Sequence, residues 1–149
     1  MKLFFDEDTG KGVPEALRAL ELPDTRVEYV RRLFRKRIQR GEFPDGVKDE
    51  DWIPFAGRGG WLVLSCNKWI LEAEAQRELW IRENVGGVFF TSGQEKKRDL
   101  VMWILKRWEW LQTIDTHETR PFAYLTSLTG RPRRDPRVPP ATLFPASTG

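Results

Sequence analysis

The sequence holds one cysteine, Cys66, and one histidine, His117, among 149 residues. A lone thiol excludes an internal disulfide and fits a reducing, cytoplasmic setting. A lone imidazole excludes His-rich zinc sites and argues against Ser–His or Cys–His nucleophilic chemistry. No apolar run approaches the roughly 18–20 residues of a membrane span. The N-terminus lacks a basic stretch leading into a long apolar one, so no signal peptide is expected. Neither sign of charge dominates, since 25 Lys and Arg against 22 Asp and Glu leave a net charge of +3.

The chain is 40% apolar and 32% charged, which suits a single soluble, globular domain with one real core. Seven Trp are enough to fill much of that core and leave some for a partner surface. Most are expected in the core, with Trp103 and Trp110 less committed to the local apolar stripe than Trp108. Charge is unevenly spread. RRLFRKRIQR (31–40) has six basic residues in ten and RPRRDPR (131–137) four in seven, while acids gather in DED at 6–8 and again in DED at 49–51. Basic stripes suit a polyanion, and acidic knots suit a divalent cation. Adjacent carboxylates repel unless water or a cation relieves them. Each knot also has a plainer reading, as a solvated turn at 6–8 and as a favourable helix N-terminus at 49–51. The Arg-rich stretch can likewise be a solvated helix face.

KLFFD (2–6) reads as a short buried strand. In GKGVPEALRAL (10–20), Val13, Ala16, Leu17 and Leu20 share one helical face, and Pro14 suits a first turn. RVEYV (26–30) predicts a second strand, followed by a helical stripe of Val30, Leu33, Phe34 and Ile38 that stops at Gly41. DEDWIPFAG (49–57) predicts a helix with an acidic first turn. GWLVLSCN (60–67) is a continuous apolar run of the kind found in parallel sheets covered on both faces. A helix is expected over 68–84, a buried strand over 86–91, a long helix over 93–113 opened by Ser92 and Glu95 at capping-box spacing, and a last strand over 121–128. From Arg131 the composition turns Pro- and Arg-rich. The expected organisation is one domain over 1–130 and a flexible tail over 131–149.

Strands and helices alternate, which argues for a three-layer α/β/α sandwich with a mostly parallel central sheet. Such sheets place their sites at the carboxyl ends of strands. Asp6 and Asn67 both stand at such ends and are expected on one edge.

LFFDED (3–8), VPEALRAL (13–20), DEDWIP (49–54) and GWLVLSCNK (60–68), in that order, resemble the PIN-like domains, in particular the small VapC-type toxins. The resemblance spans roughly residues 1–92. It implies a ribonuclease whose acidic pocket holds Mg²⁺ or Mn²⁺. Asp6 is the implied first-strand ligand and Asp49 the acid of the middle helix, with Asp8 and Glu50 as further metal candidates. Ser65 falls where the family often has Thr, as a supporting residue. Asn67 falls where the family has Asp, so the implied site is one carboxylate short; an amide carbonyl still suits a hard cation. The catalytic set expected on this basis is Asp6, Asp49 and Asn67. Arg31, Arg32, Arg35, Lys36, Arg37, Arg40 and Lys68 are expected to bind RNA. An antitoxin protein and a homodimer are the expected protein partners. Two other readings remain open: a PIN-like module that binds RNA or protein without cutting, and a haloacid-dehalogenase-like phosphatase. The second is suggested by FFDEDTG and LVLSCN, with Asp6 as nucleophile and Asp8 as acid, but VFFTSG (88–93) lacks the acidic pair that family needs. Cys66 is expected to be a small packed residue.

Overall fold

The structure is a computed structural model, and it describes residues 1–92 and 95–140. Its core is a six-stranded sheet: β1 (Lys2–Phe5), β2 (Arg26–Tyr29), β3 (Leu62–Ser65), β4 (Gly86–Phe90), β5 (Phe122–Thr126) and β6 (Arg133–Arg134). The strand order is β2-β1-β3-β4-β5-β6. The first five run parallel, and β6 pairs antiparallel to β5.

Alternation along each strand feeds two separate cores. Leu3, Phe5, Leu62, Leu64, Val88 and Phe90 point to one face. There they meet helices α1 (Gly12–Ala19), α7 (Lys97–Lys106) and α8 (Trp108–His117) through Val13, Leu17, Leu100, Ile104 and Leu111. Phe4, Val63 and Phe89 point to the other face. They are covered by α2 (Val30–Leu33), α4 (Asp49–Arg58), α5 (Trp69–Glu72) and α6 (Glu74–Arg82), through residues that include Val30, Trp52, Ile53, Ile70 and Trp80, while α3 (Arg35–Gln39) buries none of its residues. Side chains two apart share a face of a strand, so the continuous apolar runs serve both layers at once. This is the expected three-layer α/β/α arrangement.

The helices are more broken than periodicity suggests. Residues 30–39 form two short helices that meet at Phe34, which is buried against Phe43 and Phe55. The bonds Phe34 N–H to Val30 C=O and Ile38 N–H to Phe34 C=O, both 2.9 Å, carry across that joint. Residues 69–82 divide at Ala73, whose backbone is extended. Of the helix expected over 93–113, residues 93 and 94 lie outside the described ones, and α7 starts only at Lys97 with Lys96 at its N-cap, so Ser92 and Glu95 do not open it. Beyond them α7 and α8 meet at Arg107, and i to i−4 bonds continue through that seam at 3.0 and 2.9 Å. Trp103 is a core residue, 5% exposed, and not the loosely held one its spacing suggests.

Helix α4 sits close against the C-terminal end of α6 because Gly57 has no side chain. A Cβ there would lie 2.0 Å from the Glu83 carbonyl oxygen.

The boundary expected at 130 falls inside the packed unit. Arg133–Arg134 add β6 to the sheet, the Asp135 N–H donates to the Ala123 carbonyl at 2.8 Å, and Val138 is fully buried in the second core. Asp135 is 2% exposed and is gripped by the Arg137 guanidinium at 2.7 Å. Prolines made this stretch read as a tail, yet an edge strand tolerates them. Residues 141–149 of the expected tail lie outside the described ones. Val138→Ala is expected to cost about 1.5 kcal/mol in chemical denaturation, the value of two buried carbons. No measurable change would place Val138 on a loose tail instead.

Among the described residues, no helix is long and apolar enough to cross a membrane.

Candidate functional site

Asp6 follows β1 directly, and Ser65 ends β3 beside it, where Phe5 pairs with Leu64. Parallel pairing therefore brings together two residues 59 positions apart. Asp6 is 2% exposed. Ser65 Oγ donates to its Oδ2 at 2.5 Å and Thr9 Oγ1 donates to its Oδ1 at 3.0 Å. The Asn67 N–H in turn donates to Ser65 Oγ at 2.9 Å. That bond occupies a Ser65 lone pair and leaves its proton for Asp6.

Burial pushes the Asp6 carboxyl up to about 7. The charges of Asp8 and Asp49 push it the same way, while the Ser65 and Thr9 hydrogen bonds oppose them. Burial also raises the Asp49 carboxyl, helped by the charges of Asp8, Glu50 and Glu7 and opposed by the Trp52 indole N–H, which donates to Asp49 Oδ1 at 3.1 Å. Asp8 and Asp49 thus both press on Asp6, and Asp8 presses on Asp49. Among the described residues no ion pair reaches any of these three.

The second acidic knot divides its work. Asp51 accepts the Lys48 N–H at 2.8 Å and caps α4, as the helix-terminus reading anticipates. Asp49 turns toward the first knot. Glu50, expected as a metal candidate, is exposed and borders a different cavity with Pro54 and Arg82, between α4 and α6.

A cavity of about 400 Å³ opens beside Asp6, Glu7 and Asp8 and is bordered on its far side by Lys11, Tyr29 and Arg31. Arg31 donates to Glu7 at 3.3 Å. The mouth therefore joins carboxylates to cations. The rest of the basic stretch is exposed but partly neutralised. Arg32 pairs with buried Glu28, and Arg37 and Arg40 both pair with Glu42. Among the described residues Arg35 and Lys36 carry no ion pair. Lys68 is exposed at the tip of β3.

Asn67 is at the expected edge, but its side chain is committed to the turn. Its Oδ1 accepts the Trp69 N–H at 3.2 Å. Burial pushes the Cys66 thiol up to about 11, with the charges of Asp6, Asp8 and Glu95 adding to it. A thiol held neutral is neither nucleophile nor metal ligand, in line with the expectation that Cys66 merely packs.

Two contributors escaped the sequence reading. Thr9 is the first, a buried hydroxyl held by the short 3₁₀ turn that follows Asp6. Glu95 is the second. It follows β4 on the carboxyl edge of the sheet, where it borders a neighbouring cavity with Asp99 and Lys106. Its position just beyond β4 was the signal, because every parallel strand end on that edge is a candidate.

The donor chemistry fits a hard divalent cation: carboxylate oxygens that repel one another and, among the described residues, have no ion-pair partner. The cage is not preassembled. Among the described residues, no three His, Cys, Asp or Glu side chains stand close enough together to hold a metal ion. Asp6, Asp8 and Asp49 are the residues that would converge on one.

Comparison with known proteins agrees with this geometry. A family model described as a PIN-like domain matches residues 1–92, the segment that carries β1 to β4 and all three carboxylates. No curated protein and no solved structure matches the chain. PIN-like domains are commonly nucleases and generally use divalent metal ions. The match decides against the phosphatase resemblance of FFDEDTG, since the same carboxylate strand is claimed by a family model covering more than half of the chain. On sequence, topology and the placing of its acids, this chain belongs to the PIN-like domain family.

Proposed function

We propose that the chain is a divalent-metal-dependent endoribonuclease. The observation that carries this reading is Asp6, a buried carboxylate fixed by two hydroxyl donors at a strand tip, with Asp8 and Asp49 pressing their charge on it and, among the described residues, no ion pair to any of the three. Mg²⁺ or Mn²⁺ held by these groups supplies Lewis acidity to a phosphoryl oxygen and activates water for attack. The protein's own share is positional. Ser65 and Thr9 fix the orientation of Asp6, Trp52 fixes Asp49, and Lys11 and Arg31 border the cavity where flanking phosphates gain charge partners. Asn67 brings no charge, and its Oδ1 accepts the Trp69 backbone N–H. The sequence resemblance to VapC-type toxins extends the proposal: the chain is the toxin half of a toxin–antitoxin pair, and the antitoxin blocks the acidic cavity with its own basic side chains.

Metal binding tests this without reference to turnover. At about a hundredfold excess over Kd, a ligand specific to the folded state adds about 2.7 kcal/mol. For a chain of this size that raises Tm by about 5–10 °C. Mn²⁺ or Mg²⁺ is expected to produce such a rise in the wild type, EDTA to reverse it, and Asp6→Asn to remove it. Asn67→Asp restores a carboxylate that can still accept the Trp69 N–H, and is expected to lower the half-saturating metal concentration about tenfold. A Tm indifferent to both metals would contradict the proposed cofactor. Unchanged metal affinity in Asn67→Asp would show that residue 67 only shapes the turn.

A further inference from the structure

Of the seven Trp, six are at least partly buried. Trp69 is the exception, 66% exposed. It is the first residue of α5, just past the tip of β3. An indole left in water forgoes the burial that normally keeps Trp in a fold, and the core here had room for its other large aromatics.

Its placement is fixed by the candidate site itself. Asp6 accepts from Ser65 Oγ at 2.5 Å, Ser65 Oγ accepts from the Asn67 N–H at 2.9 Å, and Asn67 Oδ1 accepts from the Trp69 N–H at 3.2 Å. A chain of hydrogen bonds therefore runs from the buried carboxylate to the Trp69 backbone amide, and fixes the main chain that carries the exposed indole. Lys68 Nζ lies 5.8 Å from the centre of the Trp69 ring. A flat aromatic face and a cation, side by side at the rim of a carboxylate centre, match one nucleobase and one adjoining phosphate. Stacking on an indole tolerates any base but needs that base unpaired, because a duplex keeps its faces covered.

Resting on the ribonuclease reading above, we infer that Trp69 is a stacking platform for an unpaired base of the RNA substrate, with Lys68 on the neighbouring phosphate. The pair makes the site select single strands. Asn67 then has a role that its missing charge does not diminish, since it holds the platform in register with Asp6.

The test uses the full chain carrying Asp6→Asn, so that RNA stays intact, titrated with a single-stranded RNA oligonucleotide and with the same strand annealed to its complement. Trp69 is expected to give most of the quenching of Trp emission on single-strand binding, and Trp69→Phe to abolish most of that quenching while keeping binding. Trp69→Ala is expected to weaken single-strand affinity roughly 5- to 150-fold, with duplex affinity and the salt dependence unchanged. Lys68→Ala is expected to lower the salt slope by about 0.7, the value of one phosphate contact on a single strand. Equal losses for single strand and duplex, or no loss for either, would overturn the inference. So would a chain that binds no oligonucleotide, which would leave the exposed indole as a contact for a partner protein. The two readings also fail separately. A wild type that cuts RNA, beside an unaltered affinity in Trp69→Ala, removes the platform and keeps the nuclease. Single-strand binding that depends on Trp69, in a wild type that cuts nothing with either metal, does the reverse.

Discussion

Asp6→Asn is expected to make the metal-free chain more stable at about pH 8 and to flatten its response to pH. The carboxyl sits at 3.8 in an unperturbed reference and at about 7 in the fold. Between those values the folded state holds a proton that the unfolded state has released. Its contribution to stability is therefore fully present below about pH 4 and is lost as pH rises through about 7. A displacement of that size in a group this buried amounts to on the order of 4 kcal/mol. Asp49, raised in the same direction, adds to the trend. Asn carries no charge to desolvate, and its volume is the same. It keeps one of the two hydroxyl hydrogen bonds as drawn and needs Ser65 or Thr9 to reorient for the other, a cost of about 1 kcal/mol. Urea denaturation in EDTA at about pH 5 and about pH 8 reads the difference. The wild type is expected to lose stability between the two, and Asp6→Asn to hold its own. A variant less stable than the wild type at about pH 8 would mean that Asp6 is a structural anchor and not a strained site carboxylate.

Trp52→Ala is expected to cost about 3–5 kcal/mol, the range for emptying a buried indole. Trp52 is 2% exposed, and its ring centre lies 5.3 Å from that of Phe4 on β1. That contact docks α4 on the strand that ends in Asp6. Against a typical total of 5–15 kcal/mol, the substitution removes a large share of the fold. The informative companion is Trp52→Phe, which keeps most of the packing and deletes the indole N–H that Asp49 accepts. Its stability is expected to fall by about 1–2 kcal/mol, with weaker metal binding from a carboxylate now free to rotate. Metal affinity equal to that of the wild type in Trp52→Phe would show that the Trp52 bond does not orient a ligand.

Much of this architecture was readable along the chain, and the reasons are local. Runs such as LFF and WLVL are apolar at every position, which only a strand covered on both faces demands. With the strands in parallel order, their carboxyl ends fall on one edge, which is enough to expect Asp6 and Asn67 there. Helix breaks were harder, because Phe34, Ala73 and Arg107 leave the apolar period intact while the path bends at them. β6 was hidden by its own composition: two arginines among prolines resemble a tail until Asp135 and Val138 are seen buried. The division of DED at 49–51 into a site residue, an outward-facing acid and a cap depends on where α4 begins, which sequence gives only to within a few residues. Trp69 stayed anonymous among seven tryptophans because exposure is a property of the packed whole. Glu28 stayed unnoticed for a similar reason: it is nearly buried and held by Arg18, Arg26 and Arg32, three cations that sequence reading places on an open polyanion stripe or leaves unassigned.

The measurement that bears most directly on the central claim is cleavage of a mixed single-stranded RNA pool by the wild type and by Asp6→Asn, each with Mn²⁺, with Mg²⁺ and with EDTA. Internal cuts by the wild type that require a divalent cation and vanish in Asp6→Asn, while that variant still folds, are the predicted result. Cutting that persists in EDTA or in Asp6→Asn, or a wild type that leaves the pool intact with both metals, would contradict it.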